Sequence, residues 1–456
     1  MKRNILVFMT DHQRSDTIGM VQCGREVTPN LNRLAERGFR FDRAYDACPL
    51  CVPARTALAT GIYPTKNGVV YNDWKGKTAG DYEPLHTILK RTGYCVGHVG
   101  VDHIKVRPSM REQGLDYFIN QEDYELWARS QGLRTERNPE ELLWVEEELD
   151  GAYVPKQYSG YQTTIWPGKT EQFKDFYFLE RSLEFLRSVK DRPFALFTYL
   201  WAPHPPLKVP EPYAKMYDPA KVVLPDNIGV AAEKEPQLRR KGVPAQLAKG
   251  VPTEEWRKVW AAHLGLTTMA DEILGKILDE LEKMGELENT CILFTSDHGD
   301  NLGQHGMYQK MEMYEEAVKV PMVWKIPGER PGRYDGVVSH LDVMPTLLEA
   351  VGISCGGGDG ISLLPVIRGE AMPDDRIVFA QYSGNPGYGT IRRAAVSRRF
   401  KYVYDSGHEH ELYDLERDPS EMHNVADRPE YREILESMYT ACRKYHIEHN
   451  DFFGWE

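Results

Sequence analysis

The clearest chemistry in the sequence lies in one stretch, residues 51–61 (CVPARTALATG). Pro53 suits the first turn of a helix, the residues after it favour helix, and the final Thr-Gly ends it. Cys51 is therefore expected at or just before a helix N-terminus, where unpaired backbone N–H groups and the helix dipole favour an anion. We expect a thiol there to be acidic and reactive, and Arg55, one turn further on, adds a fixed positive charge.

The spacing Cys-x-Pro-x-Arg-x-x-x-x-Thr-Gly in this stretch resembles the signature of the formylglycine-dependent type I sulfatases of the alkaline phosphatase superfamily. Residues 51–55 carry its core and Thr60-Gly61 its tail, and Ala54 stands where Ser is often found. The resemblance implies that a separate formylglycine-generating enzyme oxidises Cys51 to an aldehyde, whose hydrate supplies the nucleophilic oxygen. The departure at Ala54 bears on the route of maturation more than on the class.

Cys51 also belongs to a C-x-x-C motif with Cys48. In a cytosolic protein such a motif can be a redox pair or half of a zinc site. No second C-x-x-C follows in the sequence, and the other cysteines are scattered. A merely buried cysteine is the remaining alternative, and the match over residues 51–61 is more specific than either.

Two further stretches place a carboxylate beside an imidazole just after a predicted buried strand. They are Asp11-His12 and Asp297-His298. Because active sites of open α/β sheets lie beyond the carboxyl ends of the strands, these side chains and Cys51 are expected at one edge of a sheet. Two carboxylates, two imidazoles and an oxygen from a converted Cys51 would make a cage for a divalent cation. The simpler alternative is a turn cap at Asp11 and a plain polar loop at residues 297–300.

The resemblance implies that Asp11, Asp297 and His298 bind the metal. At the position of His12 the family often has a carboxylate or an amide, so this residue is a departure. Ca²⁺ prefers oxygen ligands, whereas nitrogen ligands move the preference toward Mn²⁺ or Zn²⁺. We expect one divalent ion, with Ca²⁺ as the first choice and Mn²⁺ as the alternative.

Two other segments resemble the parts of sulfatases that hold the sulfate. His204 lies in the segment Ala-Pro-His-Pro-Pro and resembles the histidine that contacts the anion, and Lys310 resembles the sulfate-binding lysine. Taken singly, a lone histidine is more often a structural hydrogen-bonding group, and an isolated lysine is more often solvated surface.

The segment Gly100-Val101-Asp102-His103 is the most informative mismatch. Sulfatases usually have Gly-Lys-x-His there, so this chain keeps His103 and replaces the lysine by Val101. One cation fewer should weaken the hold on a sulfate and on developing negative charge. Lys105, two residues beyond His103, is the candidate to compensate.

The resemblance implies hydrolysis of a sulfate ester by the oxygen of a converted Cys51. Arg55 would stabilise that oxygen, His204 or Lys310 would protonate the leaving alcohol, and His103 would be the base of the last step. The same nucleophile serves phosphonate monoester and phosphodiester hydrolases, and Val101 and His12 keep that alternative open. A third alternative is a binding protein that keeps the pocket and never matures.

The composition is that of an ordinary globular protein: 456 residues with 41% apolar and 27% charged residues. The net charge of −12 argues against a general nucleic-acid surface. The apolar run 5–9 is too short for a signal peptide or a membrane span, and seven widely spaced cysteines suit reduced thiols. We therefore expect a cytoplasmic enzyme with no membrane partner, acting on a small sulfate ester. The leaving alcohol stays open, as does the oligomeric state, with a homo-oligomer among the options.

These residues must be positioned by an alternation of strands and helices. Buried strands are predicted at 4–9, 95–99, 194–200 and 291–295, with helices between them, which indicates a doubly wound, mostly parallel α/β sheet flanked by helices. We assign residues 1–370 to this catalytic domain. Residues 371–456 read as a smaller antiparallel sheet with a terminal helix. Tyr71, Asn72, Trp74 and the weakly patterned segment 102–169 are candidate pocket walls.

Overall fold

The predicted alternation of strands and helices is present along the chain. The computed structural model describes residues 2–72, 76–133, 138–189, 192–354, 356–373, 375–405, 407 and 409–453. The strands in chain order are β1 (Asn4–Thr10), β2 (Val21–Gln22), β3 (Arg25–Glu26), β4 (Phe39–Tyr45), β5 (Cys95–Gly100), β6 (Tyr117–Ile119), β7 (Leu142–Leu149), β8 (Ala152–Ser159), β9 (Thr163–Ile165), β10 (Phe194–Tyr199), β11 (Leu207–Val209), β12 (Thr290–Ser296), β13 (Lys319–Lys325), β14 (Gly332–Ser339), β15 (Val378–Tyr382), β16 (Arg392–Val396), β17 (Phe400–Asp405) and β18 (His410–Asp414). The α-helices are α1 (Pro29–Arg37), α2 (Cys51–Thr60), α3 (Pro64–Asn67), α4 (Leu85–Arg91), α5 (Gln121–Ser130), α6 (Lys174–Ser188), α7 (Val243–Ala248), α8 (Thr253–Lys283), α9 (Glu315–Val318), α10 (Val343–Ala350), α11 (Leu364–Ile367) and α12 (Arg432–Glu448).

Within these residues, an eight-stranded sheet forms the centre of the protein in the order β14-β4-β13-β12-β1-β10-β5-β6. Strand β1 pairs in parallel with both β10 and β12, and β13 runs antiparallel to its two neighbours. Every residue of β1 is buried, as expected for a continuous apolar strand covered on both faces. The predicted doubly wound, mostly parallel sheet is confirmed.

The two faces of the sheet are covered by different helices. Leu6 and Phe8 of β1 pack into a core with α1, α6 and α8, whereas Ile5, Val7 and Met9 pack into a second core with α4 and α10. Side chains of a strand alternate between its faces, so one apolar strand supplies both cores. The carboxyl ends of β1 and β12 are thereby fixed side by side.

Two parts of the sequence hold more regular structure than the pattern predicted. The segment 102–169 contains α5 and the antiparallel hairpin of β7 and β8, whose exposed side mixes glutamates with the exposed aromatic residues Trp144 and Tyr153. The edge strand β14 alternates between partly buried and exposed residues over its first half. Neither segment has the continuous apolar run that marks the central strands.

The C-terminal part forms an antiparallel sheet, β15-β16-β17-β18, with α12 packed against β16 and β17. This matches the predicted architecture of residues 371–456, and the division into two domains at residue 370 stays a prediction. Six of the cysteines lie in the described part of the chain, and these are all free thiols. Among the described residues, no helix has the length and apolar character needed to cross a bilayer.

Candidate active site

The predicted carboxylate and imidazole pairs meet at one edge of the central sheet. Thr10 of β1 is paired with Ser296 of β12, so the residues that follow the two strands emerge together. Cys51 is the first residue of α2, as predicted, and its helix ends at Gly61 in the left-handed conformation, with φ of 68°. Ligand atoms of four predicted metal-site residues lie within 4.8 Å of one another: Asp11, His12, Cys51 and His298.

Arg55 holds the two carboxylates of the cluster in place. Its Nε donates to Asp297 Oδ2 and its Nη2 to Asp11 Oδ2, both at 2.8 Å, and all three side chains are fully buried. Burial and the Asp297 charge raise the pKa of Asp11 to about 7, although Arg55 and Lys310 act in the other direction. The pKa of Asp297 falls below its usual range because His298, Arg55 and Lys310 outweigh its burial. The guanidinium is thus the counter-charge that permits two acids in one buried site.

Both imidazoles of the cluster have their Nδ1 atoms already engaged. His12 Nδ1 lies 2.7 Å from Asp300 Oδ2, and His298 Nδ1 lies 3.0 Å from the carbonyl oxygen of Gly299. These partners accept hydrogen bonds, so each Nδ1 carries the proton and each Nε2 turns a lone pair toward the cluster. Burial lowers the pKa of His298 to about 3 and that of His12 well below its usual value, which keeps both rings neutral. Neutral, oriented imidazoles beside buried carboxylates fit a divalent metal ion.

The Cys51 thiol is less acidic than predicted. Burial raises its pKa above the ordinary value, with a further contribution from Asp11, and the nearby cations Lys310 and Arg55 do not compensate. The expectation of an acidic, reactive thiolate at the helix N-terminus is therefore wrong. The helix dipole acts on a group that has lost its hydration, and desolvation is the larger effect.

Lys310 occupies the centre of the site. Its Nζ lies 2.7 Å from Cys51 Sγ, 2.9 Å from His12 Nε2 and 3.4 Å from His204 Nε2. An ammonium group has three N–H donors, and here each one faces an acceptor. His204 Nδ1 donates to the carbonyl oxygen of Pro205, which leaves its Nε2 as that acceptor. The lysine is 4% exposed, so it is a buried site residue rather than a solvated surface residue.

Cys51 lies in the lining of a cavity of about 470 Å³, which is large enough for a small ester. The predicted residues His103, His204 and Lys310 line the same cavity, together with Asn72 and parts of the segment 102–169. Tyr71 lines a separate cavity, and Trp74 lies outside the described residues. The cavity therefore joins the candidate nucleophile to a wall of polar and aromatic side chains.

Position 101 supplies no cation. Val101 is fully buried, and its carbonyl oxygen accepts a hydrogen bond of 2.9 Å from Arg55 Nη1. Among the described residues that line the cavity, the lysines are Lys174, Lys208 and Lys310, and Lys105 is not one of them.

Asp300 and Lys174 are among the residues of the site that sequence reasoning missed. Asp300 follows the Asp-His-Gly run and could have been noticed from that proximity. Lys174 carried no local signal, because its place in the cavity results from tertiary packing.

Two protein families, several relatives and several solved structures are similar to this chain over most of its length. The sulfatase family matches residues 3–353, and the family described as N-sulphoglucosamine sulphohydrolase, C-terminal, matches residues 303–447. An arylsulfatase from Clostridium perfringens is 28% identical, with 96% of this chain and 92% of the relative covered. A choline-sulfatase from Rhizobium meliloti is 27% identical, with 100% and 88% covered. The fold is similar to that of a phosphonate monoester hydrolase from Silicibacter pomeroyi, with a TM-score of 0.80, 23% identity, and 99% and 96% covered.

The family match extends over both strand ends, the Cys51 helix and the Lys310 loop. The chain therefore belongs to the sulfatase family, and within the alkaline phosphatase superfamily it is a type I sulfatase, a sulfuric ester hydrolase.

Proposed function

We propose that this protein hydrolyses a sulfate ester with an oxygen nucleophile made by converting Cys51 to formylglycine. The observation that carries the proposal is the contact of Cys51 Sγ with Lys310 Nζ at the edge of the cavity, beside the cluster of Asp11, His12 and His298. An unconverted thiol suits the reaction poorly because burial raises its pKa. Formylglycine would place an oxygen nucleophile where the sulfur lies.

The donor set of the cluster fits a divalent ion. Asp11, His12, Asp297 and His298 would hold it, with the converted residue 51 as a further ligand. A bound divalent ion would supply positive charge that lowers the pKa of a coordinated oxygen and stabilises an anionic transition state. The two imidazole nitrogens suit Mn²⁺, while the carboxylates also suit Ca²⁺.

The surrounding residues would divide the remaining work. Arg55 fixes the two carboxylates, and Lys310 would neutralise charge on the sulfate. His204 Nε2 faces the ammonium group of Lys310, so a proton can pass between the two side chains. Together they would supply the proton of the leaving alcohol. Burial and Arg55 hold the pKa of His103 well below its usual value, so the ring is neutral, which is the state from which a base of the last step must start.

Hydrolysis of a phosphonate monoester or phosphodiester is the second candidate. The specific observation in its favour is the buried Val101, which removes a cation that sulfatases usually have. The structural similarity to a phosphonate monoester hydrolase bears on the fold alone.

The test compares an aryl sulfate, an aryl phosphonate monoester and an aryl phosphodiester side by side. The protein is co-expressed with a formylglycine-generating enzyme, and mass spectrometry of the peptide containing residue 51 gives the converted fraction. The proposal is supported if kcat/KM is highest for the aryl sulfate and if this value rises in proportion to the converted fraction of residue 51. A preference for either phosphorus ester would favour the second candidate function over sulfate ester hydrolysis. Full turnover by protein that carries only cysteine at position 51 would refute the proposal that formylglycine supplies the nucleophile. The Cys51→Ala variant is the control for contaminating activity.

A further inference from the structure

Lys174 brings a cation into the active-site cavity that neither the sequence motifs nor the family resemblance assign. It is the first residue of α6 and lines the cavity together with Cys51, His103, His204 and Lys310. The N-terminal end of a helix disfavours a positive charge, so helix stability does not account for a lysine at this position.

The ammonium group of Lys174 packs on the aromatic wall of the cavity. It lies 4.3 Å from the centre of the Trp201 ring and 5.6 Å from that of Tyr124. Both separations are within the range of a cation–π contact. The same Trp201 ring lies 4.3 Å from the ring of His204 and 6.4 Å from that of His103, measured between centroids. The Trp201 ring thus lies between Lys174 and the two histidines assigned to proton transfer, and all three side chains belong to one wall of the cavity.

Asp175 fixes this group of residues. Its Oδ1 accepts the backbone N–H of Trp201 at 2.7 Å and that of Ala202 at 3.2 Å, and the side chain is fully buried. The start of α6 is thereby tied to the loop that carries His204. Lys174 precedes Asp175 directly, so its backbone is held at a defined place beside that loop.

Like Lys174, the other cations at or near the cavity have contacts of their own. Arg55 directs its donors to Asp11, Asp297 and the carbonyl oxygen of Val101. Lys208 forms an ion pair of 2.9 Å with the buried Glu141. Lys310 contacts Cys51, His12 and His204.

We propose that Lys174 is the cation on the leaving-group side of the cavity, taking the place of the lysine that is missing at position 101. The inference rests on the proposed function. As the oxygen of the converted residue 51 bonds to sulfur, the bond between sulfur and the ester oxygen breaks. Its electron pair stays on the leaving oxygen, which takes its proton from the pair of Lys310 and His204. Lys174 keeps its own proton and stabilises the negative charge on that oxygen.

The first experiment measures kcat/KM for aryl sulfates whose leaving phenols differ in acidity, with Lys174→Met, Lys174→Arg and wild type. A cation at the leaving oxygen matters most for the least acidic phenols. We therefore expect Lys174→Met to lose about tenfold to a hundredfold on them and much less on the most acidic phenol. Lys174→Arg should recover most of the loss. Lys215→Met, which changes an exposed lysine outside the cavity lining, is the matched control with wild-type dependence on the phenol. An unchanged rate, or an equal loss on every ester without rescue by arginine, overturns the inference.

The second experiment separates this inference from the proposed function. The Cys51→Ala variant has no nucleophile, so its affinity for an aryl sulfate is measured by calorimetry without turnover. We expect Lys174→Met in this background to weaken binding severalfold, because a cation near the anionic ester is lost. If the wild type turns over no sulfate ester and Cys51→Ala binds none, the proposed function fails. If the wild type turns over a sulfate ester and Cys51→Ala binds one, but Lys174→Met changes neither the affinity nor the dependence of the rate on the phenol, only the assignment of Lys174 fails.

Discussion

Lys310 Nζ and His12 Nε2 lie 2.9 Å apart, so the lysine donates to the lone pair that a metal ion would use. Its two other contacts are the candidate nucleophile and the leaving-group histidine. One ammonium group therefore links the three parts of the site. Burial lowers the pKa of Lys310, but its contact with Cys51 and the nearby charges of Asp11 and Asp297 outweigh burial and keep the pKa above the usual range, so the group stays charged.

Replacement of this lysine should separate catalysis from metal binding. We expect Lys310→Met to lower kcat/KM for an aryl sulfate about a hundredfold or more, because the charge on the sulfate is no longer neutralised. Its affinity for a divalent ion should rise, since a competing cation has been removed from His12. Steady-state kinetics and calorimetry on metal-stripped protein measure the two effects. A variant that loses activity and metal affinity together would contradict this account.

Arg55 should matter for stability as well as for activity. Its removal leaves Asp11 and Asp297 buried without their counter-charge, and breaking such a buried pair costs about 3–5 kcal/mol. We expect Arg55→Met to lose that much free energy of unfolding in urea denaturation without metal. The matched control is Arg91→Met, which breaks the exposed pair with Glu83 and should cost about 1 kcal/mol or less. Equal losses in the two variants would show that the buried cluster does not depend on Arg55.

The sequence predicted the parts of the site that have local signals. The strands ending at Asp11 and Asp297 are continuous apolar runs, which the burial of both sheet faces requires, and the helix at Cys51 has a proline start and a glycine end. The acidity of the Cys51 thiol was predicted wrongly because burial is set by the whole fold. Lys174 and the partnership of Asp300 with His12 depend on side chains distant in sequence. The hairpin of β7 and β8 beside the cavity was missed because its strands lack the continuous apolar run of the central strands.

His12 should shift the metal preference of the site. It offers a nitrogen donor, and Asp300 orients that donor through its Nδ1. Because both imidazole Nε2 atoms face the cluster, we expect wild type to prefer Mn²⁺ over Ca²⁺, which reverses the order expected from the sequence. His12→Asp should reduce this preference about tenfold or more by exchanging nitrogen for oxygen.

Asp300→Asn tests the orientation itself and should weaken Mn²⁺ binding about tenfold to a hundredfold. Calorimetric titration of metal-stripped protein with each ion gives both results. Equal preference in wild type and His12→Asp would show that the ring does not bind the ion.

Glu147, next to the cavity wall, should make stability depend on pH. It lies in β7 and accepts a hydrogen bond of 2.8 Å from Tyr158, a cavity residue. Burial raises the pKa of Glu147 from 4.5 to about 7, so the folded protein holds this proton more tightly than the unfolded chain. The stabilising contribution is therefore complete below pH 4.5 and is lost as the pH rises through about 7.

Glu147→Gln keeps the acceptor for Tyr158 and cannot titrate. The free energy of unfolding of this variant should therefore gain about 3 kcal/mol on wild type between pH 4.5 and pH 8. Urea denaturation at several pH values measures the gain, and Glu146→Gln, an exposed neighbour on the same strand, should show none. A constant difference between Glu147→Gln and wild type across this range would mean that the carboxyl titrates normally and that the β7 and β8 hairpin opens to water beside the cavity.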